Sequence, residues 1–417
     1  MIVCIGEALI DFVPTVLGQA LRDVETFSKK AGGAPANVAA GIAKLGGKAA
    51  FIGKVGADEF GRFLEKTLAE LGVDTSGMLF SEEANTGLAF VSLRADGERD
   101  FLFYRRPSAD MLLRPEEIRQ DLLARARIVH FGSVTLISEP VASATLAAVK
   151  RAKELGALVA FDPNLRLNLW PSAEMARERI LAVLPLADLV KVSEEELEFL
   201  AGHAGENREA ACQQLLAAGP RLVVVTLGAK GALLCSREQV LQLNGFEVTA
   251  IDTTGAGDAF WAAFLTRLEE MLVTGRQLSG LTEGEWQEVL TFANRVGALT
   301  TTRPGAIAAI PTRAEVEAEL AAAPVTSADY IRQVTVELPE GLLGRSAALF
   351  VQTAGKYEAL LKIGYQNKLV DAKSILGVMV LGVRPGEKVT LYADGPEAAE
   401  ALETLTSFLQ GKTGSES

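Results

Sequence analysis

Asp252-Thr253-Thr254-Gly255-Ala256-Gly257-Asp258 runs directly into the helical stretch Ala259–Leu268. The small residues at 255–257 let backbone amides come close to a ligand, and a helix start adds the positive end of a dipole. Together they form an anion hole for the charge that grows on a phosphoryl group in transfer. Asp258, on the first helical turn, is placed to take the proton of an attacking hydroxyl. The same residues also fit a plain Gly-Ala-Gly turn with Asp258 as an N-terminal cap. A second Gly-rich segment, Gly32-Gly33-Ala34-Pro35-Ala36-Asn37, has Gly46-Gly47 and Gly53-Lys54-Val55-Gly56-Ala57-Asp58 downstream. Paired glycines ahead of a helix admit a small polar ligand, and the Asn37 amide suits hydroxyl groups. Tight strand-to-helix turns have the same composition.

Elements able to position these residues alternate over roughly the first three hundred positions. Ile2–Gly6, Ile128–Phe131, Leu158–Phe161, Leu189–Val192 and Leu222–Leu227 are short, branched and bounded by turn formers, as strands buried on both faces are. Asn37–Leu45, Glu59–Leu71, Val141–Leu155 and Arg208–Ala217 are amphipathic helical stretches. The repetition predicts an α/β layered fold whose ligands bind beyond the carboxyl ends of a mostly parallel sheet. Thr86–Leu93 and Asp100–Tyr104 alternate around the turn-forming Arg94-Ala95-Asp96-Gly97, predicting a hairpin (about 86–104) that acts as a lid. Glu315–Ala323 reads as a last helix, and residues 324–329, with Pro324-Val325-Thr326-Ser327, as a linker. From 330 to 412 the order β-α-β-β-α-β-α predicts a second domain, a small α+β open-faced sandwich with its own core; residues 413–417 read as a disordered tail.

The 417 residues carry a net charge of −12, which argues against nucleic-acid binding, since that needs a basic face. It leaves ATP binding open, because lysines and helix N-termini hold phosphate locally. The chain has no charge-free apolar run of about 18 residues, which argues against a membrane span. Met1–Glu7 reaches an acidic residue at once and reads as a core strand rather than a leader, so a cytoplasmic location is expected. Cys4, Cys212 and Cys235 show no metal spacing and read as buried thiols.

The two Gly-rich segments resemble the two signatures of the PfkB (ribokinase-like) family of carbohydrate kinases, the first running from Gly32 through Gly61. The resemblance covers about residues 1–320, within a kinase domain placed at 1–323. It implies a Rossmann-like αβα sandwich with a small β lid, Mg²⁺-ATP as phosphoryl donor and a sugar hydroxyl as acceptor. Asp11 resembles a sugar-hydroxyl acceptor near the end of the first strand, with Gly32, Gly33 and Asn37 as further sugar contacts. Asp258 resembles the base, and the amides of Gly255, Ala256 and Gly257 the anion hole. Thr226, Gly228 and Gly231 resemble a nucleotide loop, Asn294 an adenine-side contact, and Lys191 a residue facing the phosphates. Where the family often has Asn-x-x-Glu, this chain has Ser193-Glu194-Glu195-Glu196. Glu196 retains the means to organise Mg²⁺-bound water, while Ser193 reads either as an ATP-side residue or as a helix N-cap. Asp252 and the Thr254 carbonyl, with the 303–305 loop, resemble a K⁺ site.

Phe103–Asp110, Phe161–Arg166 and Leu169-Trp170-Pro171 are similar to fructokinases within the family, and Arg105 and Arg166 are candidate substrate arginines. Arg106 stands where fructokinases commonly carry Asn. This keeps a 2-keto-3-deoxygluconate kinase open as an alternative, because paired arginines suit a carboxylate. A catalytically inactive sugar or nucleotide sensor is a third reading. Family resemblance allows a homodimer through the lid.

Residues 330–412 resemble the phosphocarrier protein HPr, through Gly341-Leu342, Arg345, Ala347-Ala348, Phe350 and Lys373–Met379. The phospho-acceptor histidine of HPr is here Leu343, which has no nucleophilic nitrogen, so phosphorelay at this position is excluded. Ser374 matches the serine that HPr kinase phosphorylates, and also fits a plain N-cap. The domain reads as one kept for regulation or docking, with an apolar contact face at Leu342, Leu343, Ile375 and Met379.

Overall fold

The computed structural model describes residues 1–16, 18–93, 99–202, 207–322, 331–366, 368–394 and 397–411. The expected turn at 94–97, linker at 324–329 and tail at 413–417 lie outside the described residues. Two compact units divide the chain, Met1–Glu317 and Ala318–Ser417.

The first unit is built on a nine-stranded sheet. Its strands run in the order Val240–Leu243, Ala232–Cys235, Leu222–Thr226, Leu189–Ser193, Leu158–Asp162, Ile128–Gly132, Ile2–Ile5, Ala49–Gly56 and Asp74–Ser81. All neighbours are parallel except the two strands at the 232–243 edge, which are antiparallel. Alternation places Val3, Ile5, Val129, Phe131, Val159 and Phe161 in one core cluster. That cluster includes Ala144 and Val149 of helix Val141–Glu154, Ile180 of Ala173–Val183, Leu197 of Glu194–Ala201 and Leu215 of Arg208–Ala217. Phe131 and Phe161 stack at 4.7 Å; burying each ring is worth about 1.5–3 kcal/mol. Helix Ala256–Val273 covers the opposite face, where Trp261 Nε1 lies 3.3 Å from His130 Nδ1. Helix Ala34–Lys44 packs on it, and a Cβ at Gly41 would stand 2.7 Å from that of Ala262. The αβα sandwich follows from a sheet apolar on both faces.

The lid is larger than the hairpin expected from the sequence. Leu88–Leu93 and Arg99–Tyr104 form half of a four-stranded sheet in the order Phe27–Gly32, Leu9–Pro14, Leu88–Leu93, Arg99–Tyr104. Phe12 stacks on Phe90 at 4.9 Å, and Phe27 meets Phe90 edge-on at 5.4 Å. Asp11 therefore does not end the first strand, which closes at Ile5; it rides on the second, in the lid.

The second unit is an antiparallel sheet ordered Ile331–Thr335, Lys388–Asp394, Leu360–Tyr365, Lys368–Asp371, with helices Gly344–Ala354, Ile375–Leu381 and Ala398–Leu409. Val334, Phe350, Leu361, Leu391 and Leu402 form its core. Leu342 belongs to that core at 0% exposure, not to the apolar contact face. Leu343, Ile375 and Met379 are exposed as expected, joined by Leu376 at 75% and by Leu349 and Val380.

Candidate active site

Three neighbouring strands deliver chemistry at their carboxyl ends. Asp162 ends Leu158–Asp162, Lys191 and Ser193 close Leu189–Ser193, and Thr226 ends Leu222–Thr226. Beyond them opens a cleft of about 680 Å³, walled by Asn164, Arg166, Lys191, Glu196, Gly255 and Asp258 among others. Parallel strands create such a crevice because the loops leave all on one edge.

Asp258 lines the cleft. It lies on the first turn of the 18-residue helix Ala256–Val273 and is buried. The Asn37 amide donates to its Oδ2 at 2.8 Å and the Asn164 amide to its Oδ1 at 2.9 Å. Burial and the nearby Asp162 raise its carboxyl to about 6, against the opposing pull of Lys191 and Arg166. Ahead of it, Gly255 caps the helix at φ 73°, and a Cβ there would stand 2.9 Å from that of Ala306. Glycine meets both demands, the left-handed backbone and the close approach. Gly255 and Gly257 wall the cleft, while the Ala256 amide donates to the Thr253 carbonyl at 3.3 Å.

Lys191 is buried and pairs with Asp162 at 2.8 Å. Burial disfavours its charge, yet Asp162, Glu196 and Asp258 outweigh that and hold the ammonium above its usual range. It lies against the Gly255–Gly257 loop, where a Cβ at Gly257 would come within 3.1 Å of Nζ. Glu196 accepts the amides of Leu165 at 2.6 Å and Ser193 at 2.8 Å, and burial beside Asp162 raises its carboxyl. Ser193 is a helix N-cap: its Oγ accepts the Glu196 amide at 3.1 Å, completing a capping box.

The sequence reading passed over Asp162 and Asn164, although it had marked their segment. Asn164 sits at φ 41°, left-handed for a residue with a side chain, and its backbone N–H donates to Asp162 Oδ1 at 3.0 Å. Asp162 thus holds both Lys191 and the turn that aims Asn164 at Asp258. An Asp-Pro-Asn run at a strand end was the available signal.

The remaining residues divide. Arg166 walls the cleft. Asp11 stands above Gly32, whose Cβ would overlap its carboxylate. Loss of water around Asp11 raises its carboxyl to about 7, with Arg166 opposing and Asp258 adding to the effect. Arg105 is buried in an ion pair with Asp110, its Nε donating to Asp110 Oδ2 at 3.1 Å. Gly231 and Asn294 meet at Asn244: the Asn294 amide donates to its carbonyl at 3.2 Å, and a Cβ at Gly231 would crowd it at 2.5 Å. Gly228 joins them through the Gly228–Lys230 turn, and Thr226 Oγ1 bonds the Val192 carbonyl at 3.4 Å. Asp252 ties two loops, accepting Thr254 N at 2.7 Å and Gly305 N at 2.8 Å. In the second unit Ser374 caps its helix, accepting Gly377 N at 3.2 Å.

Residues 1–313 match the family described as pfkB family carbohydrate kinase. The chain belongs to that family. Residues 331–411 of this pfkB kinase match a second family, described as PTS HPr component phosphorylation site. Fructokinase-1 of Zea mays is 50% identical over 317 residues, which are 76% of this kinase and 96% of that protein. Fructokinase-2 of Solanum lycopersicum is 49% identical over 315 residues, 76% of this kinase and 94% of the relative. The crystal structure of fructokinase with bound ATP from Xylella fastidiosa aligns at TM-score 0.70 and 38% identity, over 77% of this kinase and 98% of that chain. Fructokinase from Vibrio cholerae with fructose, ADP and calcium bound aligns at TM-score 0.66 and 38% identity, over 76% and 97%. Among the described residues of the kinase, no cluster of three or more His, Cys, Asp or Glu could hold a metal, and no helix is long and apolar enough to cross a membrane.

Proposed function

We propose that this kinase transfers the γ-phosphoryl group of ATP to a primary hydroxyl of fructose, giving fructose 6-phosphate. The Asp258 site carries the reading: a buried base at a helix N-terminus, with both oxygens fixed by amides and glycines beside it. The hydroxyl O–H donates its proton to Asp258 as its oxygen bonds to phosphorus and the bond to ADP breaks. Lys191 and the Gly255–Gly257 loop meet the charge on the transferring group. Asn37 Oδ1, buried and without a hydrogen-bond partner among the described residues, suits a sugar hydroxyl. Asp11 supplies a second acceptor from the lid, opposite Arg166. The 49–50% identity to fructokinases favours fructose among sugars. A carboxylate clamp for 2-keto-3-deoxygluconate is less favoured, because Arg105 already has Asp110 as its partner.

Mg²⁺ fits the cleft through water and phosphate oxygens rather than through a protein cage. Asp162, Glu196 and Asp258 stand there against Lys191 and Arg166, and Glu196 keeps lone pairs beyond its two amides. Mg²⁺ would supply charge neutralisation of the phosphates. K⁺ fits at Asp252, whose oxygens each accept one amide and keep further lone pairs, with the Thr254 carbonyl as the second donor of the pair.

For the second unit we propose docking or regulation, with Ser374 as a phosphosite for HPr kinase. Relay chemistry fails at Leu343 for lack of a nitrogen. A homodimer through the lid and a cytoplasmic location complete the proposal. ADP release with Mg²⁺-ATP across fructose, ribose, 2-keto-3-deoxygluconate and adenosine tests it. Turnover with fructose supports the assignment; turnover only with the sugar acid replaces the substrate; binding without product replaces the enzyme by a sensor.

A further inference from the structure

Asp58 makes twice the hydrogen bonds that a helix cap needs. Its Oδ1 accepts Phe60 N at 3.0 Å and Gly61 N at 2.8 Å, which caps Glu59–Glu70. The same carboxylate then reaches across the chain to Thr86, accepting its N–H on Oδ2 at 2.8 Å and its hydroxyl on Oδ1 at 2.7 Å. The Thr86 hydroxyl in turn accepts Gly56 N at 3.0 Å. A Cβ at Gly56 would stand 2.2 Å from Asp58 Oδ2 and 2.5 Å from Thr86 N, so this junction closes only around glycine.

Thr86 stands at the entry of the lid, two residues before strand Leu88–Leu93. At the lid's exit, Ala109 N donates to the Asn85 carbonyl at 2.9 Å, which binds the return crossing to the same point. Strand Leu9–Pro14 pairs with Leu88–Leu93 in a register that sets Asp11 opposite Ala89. An unbroken path of hydrogen bonds and strand pairing thus runs from the Asp58 carboxylate through Thr86 to the strand that carries Asp11. A cap accounts for the two bonds to Phe60 and Gly61. It does not account for the two that leave the helix for the lid.

We propose that Asp58, acting through Thr86, is a positioning residue for sugar recognition: it anchors the lid on the α/β unit and sets where Asp11 meets a sugar held against Asp258. The proposal rests on the sugar-kinase reading. It separates sugar from nucleotide, because the path ends on the lid and touches neither Lys191 nor the Gly255–Gly257 loop.

Steady-state kinetics of the full chain with fructose and Mg²⁺-ATP test it, using Asp58→Asn, Thr86→Val and Thr86→Ser. Asp58→Asn keeps the shape but replaces one accepting oxygen by a donor. Thr86→Val removes the hydroxyl and keeps the backbone amide, so it carries the test if the Asp58 variant does not fold. The expected result in Asp58→Asn and Thr86→Val is a KM for fructose raised about tenfold, the scale of one hydrogen bond to a charged group. The KM for ATP stays within about twofold on the same reasoning, ADP release without sugar rises, and Thr86→Ser recovers the fructose KM. An unchanged fructose KM in both variants overturns the anchor. So does a parallel rise in both KM values with a lowered melting temperature, or a Thr86→Ser variant as impaired as Thr86→Val. Wild-type protein that turns over no sugar overturns the kinase reading itself, a result distinct from these.

Discussion

Asn164 donates its side-chain amide to the Asp258 carboxylate, Nδ2 to Oδ1 at 2.9 Å, from a backbone held at φ 41°. A left-handed conformation costs a residue with a side chain about 1–3 kcal/mol and persists where its surroundings impose it. Here Asp162 imposes it, by accepting a hydrogen bond from the Asn164 backbone N–H while pairing with Lys191. The strained turn and the hydrogen bond that holds Asp258 are one arrangement.

Asn164→Gly isolates the amide, because glycine takes the left-handed backbone without strain. Losing a hydrogen bond to a charged group should lower kcat about 10- to 100-fold. Stability should change little, as read by chemical denaturation. Wild-type kcat in that variant would show that Asn37 alone orients the base.

The pH profile should report Asp258. Its carboxyl titrates at about 6 in the folded protein, and only the ionised form accepts a proton. Activity should therefore fall as pH drops through about 6. The sign for stability is opposite. With the folded value raised above the ordinary 3.8, the native state holds the proton more firmly, and stability declines as pH rises from about 4 to about 6. Asp258→Asn should abolish turnover and lack that decline. Its stability relative to wild type should rise between pH 4 and pH 8 by about 3 kcal/mol, at 1.36 kcal/mol for each pK unit. Urea melts at the two pH values measure this.

Arg105→Ala should act first on folding. It leaves the Asp110 carboxylate buried without its cation, a loss of about 3–5 kcal/mol for a buried pair. Denaturant midpoints test this, and an undiminished midpoint with a raised sugar KM would return Arg105 to the substrate.

A chain ending at residue 323 should fold and retain sugar turnover. Each unit has a hydrophobic core of its own, around Phe131 and Phe161 in one and Phe350 and Leu402 in the other. Loss of kcat on truncation, with the secondary structure intact, would make the second unit part of the catalytic machinery.

Local chemistry made much of this legible before any coordinates. Strands buried on both faces read as unbroken apolar runs, so Ile128–Gly132 and Leu222–Thr226 stood out. The lid strands Leu9–Pro14 and Phe27–Gly32 did not, because Asp11, Lys29 and Lys30 interrupt them and only one face is apolar. Leu342 read as surface beside Leu343, since adjacent residues in a loop carry no periodicity to separate the buried one from the exposed.

By itself the sequence determined the α/β layered class, the helix that presents Asp258 and the impossibility of phosphorelay at Leu343, because each depends on residue type and near neighbours. Tertiary structure decided which residues meet. Asn37, Asn164 and Asp258 lie far apart in the chain, and Asp58 finds Thr86, 28 positions on, only in the folded chain. Arg105, read as a grip for substrate, had its partner chosen by burial, which demands a countercharge wherever water is excluded. Spacing along a chain carries no record of such long-range pairings; packing creates them.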